Sequence, residues 1–163
     1  FSEPAERALK IAFEIAARHG AMLQLVHVIE DFANFPSFYR SSLPEGDIRD
    51  ILGPEVEKQL QALVRELSRG RSDAPPTTVV PLQGKSSVAI VDYAESEESD
   101  LIVISTRGLT GLQRILVGST TERVISLARC PVLAVKDPEE VLEGDVEDAD
   151  DALGRDDAPA GDA

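Results

Sequence analysis

The chain of 163 residues has 16 Lys and Arg against 30 Asp and Glu, which gives a formal net charge of −14 at pH 7. A net-acidic chain disfavours nucleic acid as a partner, because the phosphate backbone repels it. A single cysteine, Cys130, excludes an internal disulfide and any multi-cysteine zinc site. No signal peptide and no apolar run of membrane-spanning length are present, so the sequence predicts a soluble, cytoplasmic protein without a membrane partner.

The acidic charge is concentrated at the carboxyl end of the chain. Residues 137–163 contain twelve acidic residues and one basic residue, Arg155, so they carry −11 of the charge and residues 1–136 carry −3. Runs of this composition bury too little apolar surface to fold. The sequence therefore predicts one globular domain over residues 1–136 and an acidic, disordered, solubilising tail over residues 137–163.

Helices and strands alternate along the predicted domain. Ser2 is a suitable cap for the first helix, and Gly20 is a suitable end. Gly53 and Pro54 are expected to interrupt the second helix, because proline disfavours helical geometry in the residue before it. Residues 31–46 form a loop whose aromatic residues are expected to cover the core or an oligomer contact rather than stack on a base. The predicted helices cover residues 2–20, 47–69, 86–97 and 119–129, and the predicted strands cover residues 22–30, 77–82, 101–104 and 132–135.

This alternation is typical of an α/β fold with an open parallel sheet, helices on both faces and right-handed crossovers. A sheet of this kind normally begins with a strand, whereas the first predicted element here is a helix. We therefore expect that the first strand is missing from this chain.

His27 lies inside the first predicted strand, among apolar residues. A catalytic histidine would need a nucleophile or an acidic partner, and no such arrangement accompanies it. The sequence favours a packed histidine with a satisfied ring nitrogen. It leaves open, with lower weight, a catalytic role.

The segment between the last two predicted strands is rich in glycine. Gly108 and Gly111 allow the backbone to approach a ligand closely, and Gly118 precedes a helix whose first N–H groups attract anions. These features indicate a phosphate site. A structural alternative is a capping box, in which Ser119 caps the helix and Glu122 bonds back to it. The two roles do not exclude each other.

The same segment resembles the glycine motif of the universal stress protein family. That motif is Gly, two residues, Gly, nine residues, Gly, and then Ser or Thr. Here Gly108 is followed by nine residues and then by Gly118 and Ser119, while Ser105 stands at the position of the first glycine. The resemblance extends to FSEPAERAL, LQLVHVI, VAIVDYAESEESDLIVIST and RCPVLAVK, and so covers nearly all of the predicted domain.

The resemblance implies a five-stranded parallel sheet of order 3-2-1-4-5 and a homodimer formed through the last strand, residues 132–135. It also implies an ATP site, with adenine held by the backbone at Val28 and by an Asp that would fall immediately before Phe1. The phosphates would lie along the glycine loop and the helix start. Apart from the resemblance, Arg107 and Arg114 are close to the loop in sequence, where they either add positive charge near the phosphates or are simply solvated. The implied nucleotide-binding residues are Val28, Ile104, Ser105, Arg107, Gly108, Gly118, Ser119 and Thr120.

The resulting hypothesis is an ATP-binding regulatory module of the stress response, in which Mg²⁺ arrives with the nucleotide. No catalytic base, metal cluster or paired nucleophile is visible, so we expect at most slow ATP hydrolysis. The alternative is a family member that binds no nucleotide and acts through dimerisation and protein contacts. A dehydrogenase-like site is disfavoured, because its glycines would follow the first strand.

Overall fold

A computed structural model gives the fold and describes residues 2–30, 48–106 and 117–136. Its helices are α1 (Glu3–His19), α2 (Ile48–Ser68), α3 (Ser86–Ser96) and α4 (Ser119–Leu127). Its strands are β1 (Leu23–Ile29), β2 (Thr77–Gln83), β3 (Ile102–Ser105) and β4 (Val132–Val135). The predicted order of elements is confirmed, with small differences at the ends. The aromatic loop, most of the glycine segment and the acidic tail lie outside the described residues.

Helix α1 begins and ends as its sequence predicts. The Ser2 side chain accepts a hydrogen bond from the Ala5 N–H at 3.4 Å, and Gly20 ends the helix in the left-handed region at φ 61°. Left-handed geometry costs glycine nothing, because it has no Cβ. The turn after Gly20 leads directly into β1.

The predicted break in the second helix is wrong. Helix α2 continues through Pro54, which lies inside it. Part of the clash that normally ends a helix before proline is between the proline ring and the Cβ of the preceding residue. Here that residue is Gly53, which has no Cβ, and this removes part of the strain.

The strands form two parallel pairs, β1 with β2 and β3 with β4. In the described part of the chain, a helix lies between each strand and the next, as parallel pairing requires. Helices α3 and α4 pack against each other, α1 packs mainly against β3, and α2 packs mainly against β2. This confirms the α/β class with an open parallel arrangement.

The best-defined core lies between β3 and the α3–α4 layer. Val91, Ala94, Ile102 and Val124 form one buried apolar cluster. Phe13 of α1 is 1% exposed. Among the described residues, the buried apolar core is otherwise aliphatic, which agrees with the low aromatic content of 4%.

Two flanking hydrogen bonds fix which backbone groups of β1 and β2 face each other. The Leu23 N–H donates to Pro76 O at 2.9 Å, and the Gly84 N–H donates to Ile29 O at 3.1 Å. In a parallel ladder these bonds alternate along each strand. The even-numbered residues of β2 therefore face β1, and Pro81, which has no N–H, lies with its backbone toward the outer edge.

Candidate functional site

The predicted phosphate site lies where β3 ends and α4 begins. The Gly118 N–H donates to Thr106 O at 2.7 Å, and the Thr121 hydroxyl donates to Ser105 O at 2.7 Å. These two bonds fix the first turn of α4 against the carboxyl end of β3. The structure thus brings Ile104, Ser105, Gly118, Ser119 and Thr120 to one place.

Thr106 joins this site to the neighbouring strand. Its backbone N–H and its hydroxyl both donate to Val135 O, at 2.9 and 3.3 Å, and the residue is 2% exposed. Sequence reasoning missed both Thr106 and Thr121. The available signal was a threonine directly after a strand and another in the first turn of a helix, where hydroxyls commonly bond to backbone.

The predicted capping box is wrong. The residue that caps α4 is Gly118, with φ −68° and ψ 150°, and no side chain makes a capping hydrogen bond; Ser119 is already the first helical residue. Glu122 donates its backbone N–H to Gly118 O at 3.0 Å. Because glycine has no side-chain oxygen, nothing from the cap residue satisfies the first N–H groups of the helix.

Gly118 is also required by packing. A Cβ built at this position would lie 3.1 Å from Thr106 O, a tighter approach than side chains normally make. The bond from the Gly118 N–H to the same oxygen holds the two backbones together. The glycine is therefore explained by close contact between β3 and α4 as well as by any ligand.

Ser105 fits its position without backbone strain. Among the described residues other than glycine, only Glu98 has a positive φ, so Ser105 occupies ordinary extended geometry at the end of β3. The half-buried serine therefore meets no conformational penalty where the family motif has glycine.

Val28 lies near the carboxyl end of β1, in the other strand pair. A cavity of about 360 Å³ separates the two pairs and is bordered by both β1 and β3. Ser105 lines this cavity, as does His27, the residue that precedes Val28. Arg107 and Gly108 lie outside the described residues, so their predicted roles stay predictions.

His27 is half-buried in β1, beside Pro81 of β2. Burial lowers the pKa of its imidazole, because desolvation disfavours the charged form. Within the described residues, no group of three or more His, Cys, Asp and Glu side chains is arranged to hold a metal ion.

The comparisons with known proteins agree with this geometry. The Universal stress protein family profile matches residues 1–136. The chain belongs to the universal stress protein family. A family protein of Thermus aquaticus is 34% identical over 142 residues, which cover 83% of this chain and 92% of the relative. The family protein MJ0531 of Methanocaldococcus jannaschii is 35% identical over 139 residues, which cover 84% of this chain and 78% of the relative.

Solved structures of universal stress proteins share the fold. UspA from Lactobacillus plantarum matches with a TM-score of 0.70 and 29% identity, covering 82% of this chain and 90% of that one. A universal stress protein in complex with cAMP matches with a TM-score of 0.58 and 26% identity, again covering 82% and 90%. In the part of the chain that the structure describes, no helix is both long and apolar enough to cross a membrane.

Proposed function

We propose that this universal stress protein binds adenine nucleotides, ATP above all, as a regulatory module of the stress response. The observation that carries the proposal is the start of α4, where a glycine cap leaves the first helical N–H groups without a side-chain partner. Such groups bind phosphate well, because they are aligned donors at the positive end of the helix dipole.

The position of each site residue in the fold determines the part of the nucleotide that we propose it contacts. Ser119 and Thr120, at the first two positions of α4, offer backbone N–H groups and hydroxyls to the phosphates, and Gly118 keeps the approach open. Ile104 and Ser105, at the end of β3, lie beneath the sugar and phosphates. Val28, at the end of β1, offers its backbone to adenine. Gly108 and Arg107 are proposed from the sequence motif to complete the loop around the triphosphate.

A relative of known structure supports a nucleotide as the ligand. The universal stress protein solved with cAMP shows that this fold accommodates an adenine nucleotide. The geometry of the present site favours binding over turnover, because its described members are hydroxyls and backbone groups, with no paired base and nucleophile. Any Mg²⁺ is expected to arrive with the nucleotide, since this ion prefers phosphate oxygens and water.

Calorimetric titration of the full chain with ATP and Mg²⁺ tests the proposal. We expect saturable binding, and we expect Ser119→Ala to weaken it by about tenfold or more, the effect of losing one hydrogen bond to a charged group. Ser86→Ala is the matched control, because Ser86 is likewise the first residue of a helix and bonds to Glu30 at 2.7 Å. The absence of ATP, ADP and AMP binding would refute the proposal.

The chain is further proposed to form a homodimer through β4. In the β3–β4 pair, the Ile102 N–H donates to Pro131 O at 3.0 Å and the Thr106 N–H donates to Val135 O. The alternation of a parallel ladder then turns the backbone of Val132 and Ala134 toward the outer edge. Leu133 is 38% exposed, and Ile125 and Leu127 of α4 are 49% and 47% exposed. An open strand edge beside exposed apolar side chains favours pairing with a second copy.

A module that dimerises without binding nucleotide is the second candidate, and the exposed β4 edge favours it equally. The two candidates differ in the nucleotide that the protein retains through purification. Mass spectrometry of the denatured, freshly purified protein is expected to detect an adenine nucleotide if the first proposal is right. Its absence, together with a dimeric mass and no binding in the titration, would favour the second.

A further inference from the structure

A buried hydroxyl on helix α3 lacks the hydrogen-bond partner that such groups normally have. Among the buried polar side chains of the described residues, Thr106 and Thr121 donate to backbone oxygens of β4 and β3. The Ser87 side chain is 2% exposed, and nowhere in the described part of the chain does its Oγ meet a hydrogen-bond partner. An unpaired buried hydroxyl costs free energy, so Ser87 requires an explanation other than stability.

Helix α3 does not use this hydroxyl for its own structure. The cap residue is Lys85, and no side chain makes a capping hydrogen bond. Ser87 lies on the buried face of the helix, together with Val91 and Ala94. Alanine would occupy this face without a hydroxyl to desolvate. The Ser87 hydroxyl therefore destabilises the state that the structure shows.

Two contacts establish how α3 and α4 lie against each other. Just beyond the end of α4, the Arg129 guanidinium bonds to the Glu95 carboxylate in the last turn of α3 at 2.5 Å. About one turn closer to the beginning of each helix, Val91 and Val124 belong to the same buried cluster. The two helices therefore run side by side in the same direction. One further turn places Ser87 beside the first turn of α4.

We propose that Ser87 is a positioning residue of the nucleotide site, and that its hydroxyl donates to the Thr121 hydroxyl when phosphate is bound at the start of α4. Thr121 is a suitable acceptor, because it gives its own hydrogen to Ser105 O and its oxygen has lone pairs that can accept. The first turn of α4 supplies the N–H groups that the proposed function assigns to phosphate. The inference thus rests on the proposed nucleotide site.

The proposal couples the Ser87 hydroxyl to the ligand. In the bound state, the bond from Ser87 continues through Thr121 to Ser105 O, and hydrogen bonds in such a chain strengthen one another. A bond that is made only in the bound state adds its free energy to the affinity for the nucleotide. Removal of the hydroxyl should therefore weaken nucleotide binding without destabilising the protein that has no nucleotide bound.

The test measures Ser87→Ala in the full chain by two methods. In urea unfolding without nucleotide, we expect the midpoint to stay equal or to rise, because an unpaired buried hydroxyl has been removed. In calorimetric titration with ATP and Mg²⁺, we expect Kd to rise about three- to tenfold, the effect of one hydrogen bond between neutral groups. A purely structural role would lower the midpoint and the affinity together.

A control and a double-mutant cycle complete the test. Ser96→Ala is the control, since Ser96 lies at the other end of α3 and its hydroxyl donates to Tyr93 O at 2.9 Å. We expect it to leave Kd unchanged. In a Thr121→Val background the acceptor is missing, so Ser87→Ala should change Kd less than twofold.

Each contrary result has a distinct meaning. If the unmodified chain binds no adenine nucleotide, the proposed function fails and this inference fails with it. If the unmodified chain binds ATP and Ser87→Ala binds it equally well, only the inference is overturned. A lower urea midpoint of Ser87→Ala would show that the hydroxyl is already paired without nucleotide. An equal loss of affinity with and without the Thr121 hydroxyl would show that Ser87 does not act through Thr121, and either result overturns the inference.

Discussion

Among single residues, Gly118 has the most exacting position in the described part of the site. Its missing Cβ permits contact with Thr106 O, and its missing side chain leaves the start of α4 uncapped. One glycine thus meets a packing requirement and, in the proposed nucleotide site, also leaves the first helical N–H groups available to phosphate. This is why spacing alone suggested a ligand but did not reveal the contact with Thr106.

Gly118→Ala is expected to reduce the free energy of unfolding by about 1–3 kcal/mol, the usual cost of overpacking. The new Cβ would press on Thr106 O, which belongs to a buried residue held by Val135. Urea unfolding followed by circular dichroism measures the change. An unchanged midpoint would mean that the Thr106 carbonyl can move away without cost.

His27 should make stability depend on pH. Because burial lowers the pKa of folded His27, the unfolded state binds a proton more readily. The free energy of unfolding is therefore not reduced by His27 at pH values above the pKa of the unfolded state, about 6.5. It decreases as the pH falls from there toward the lower pKa of folded His27. His27→Asn should flatten the unfolding free energy between pH 7 and 5, whereas His19→Asn, at an exposed position, should not. If the unfolding free energy of His27→Asn depends on pH as steeply as that of the unmodified chain, the prediction is contradicted.

Among the elements, α1 is tied to the segment before β2 by Arg71. Its guanidinium bonds to the carboxylates of Glu14 and Asp73 and lies 5.2 Å from the centre of the Phe13 ring. The hydrogen bonds from Arg71 lower the pKa of both Glu14 and Asp73. A charged bridge thus joins two elements that are distant in sequence.

Arg71→Gln is expected to lower the melting temperature at neutral pH. At acidic pH, the melting temperatures of the variant and the unmodified chain should differ less. Because the pKa values of Glu14 and Asp73 are lowered in the folded state, their carboxylates stabilise the fold at pH values above the ordinary pKa values of 4.5 and 3.8. This stabilisation is lost as the pH falls through the pKa values of the folded state. Melting curves at pH 7 and pH 3 test the sign. Lys58→Gln, which removes an exposed pair with Glu55, is the control for a surface charge change.

The elements also show where sequence reasoning succeeds and where it stops. Ser2 and Gly20 mark the ends of α1, and the apolar run 132–135 coincides with β4, because caps and buried strands depend on local chemistry. The predictions for Pro54 and Ser119 were wrong because of the glycine that precedes each of them. Gly53 lets the helix continue through Pro54, and Gly118 takes the cap position that Ser119 was expected to occupy. The positions of Thr106 and Thr121, after a strand and in the first turn of a helix, indicate bonds to backbone, but their partners Val135 and Ser105 are far away in sequence, so no local pattern identifies them.

At the scale of the whole molecule, the proposed homodimer depends on the outer edge of β4. Leu133→Asp should give a monomeric mass by light scattering, because an apolar contact between two copies would then bury a charge. Thr78→Asp is the matched control, as Thr78 is exposed on β2 at the opposite edge. A dimer that persists in Leu133→Asp would place the contact elsewhere.

In the proposed dimer, Pro81 has a consequence for further growth of the assembly. Two copies paired through β4 would leave a β2 edge at each end, and the backbone of Pro81 lies on that edge without an N–H to donate. We therefore expect association to stop after one pairing, so that an adhesive edge does not lead to polymerisation into a fibril.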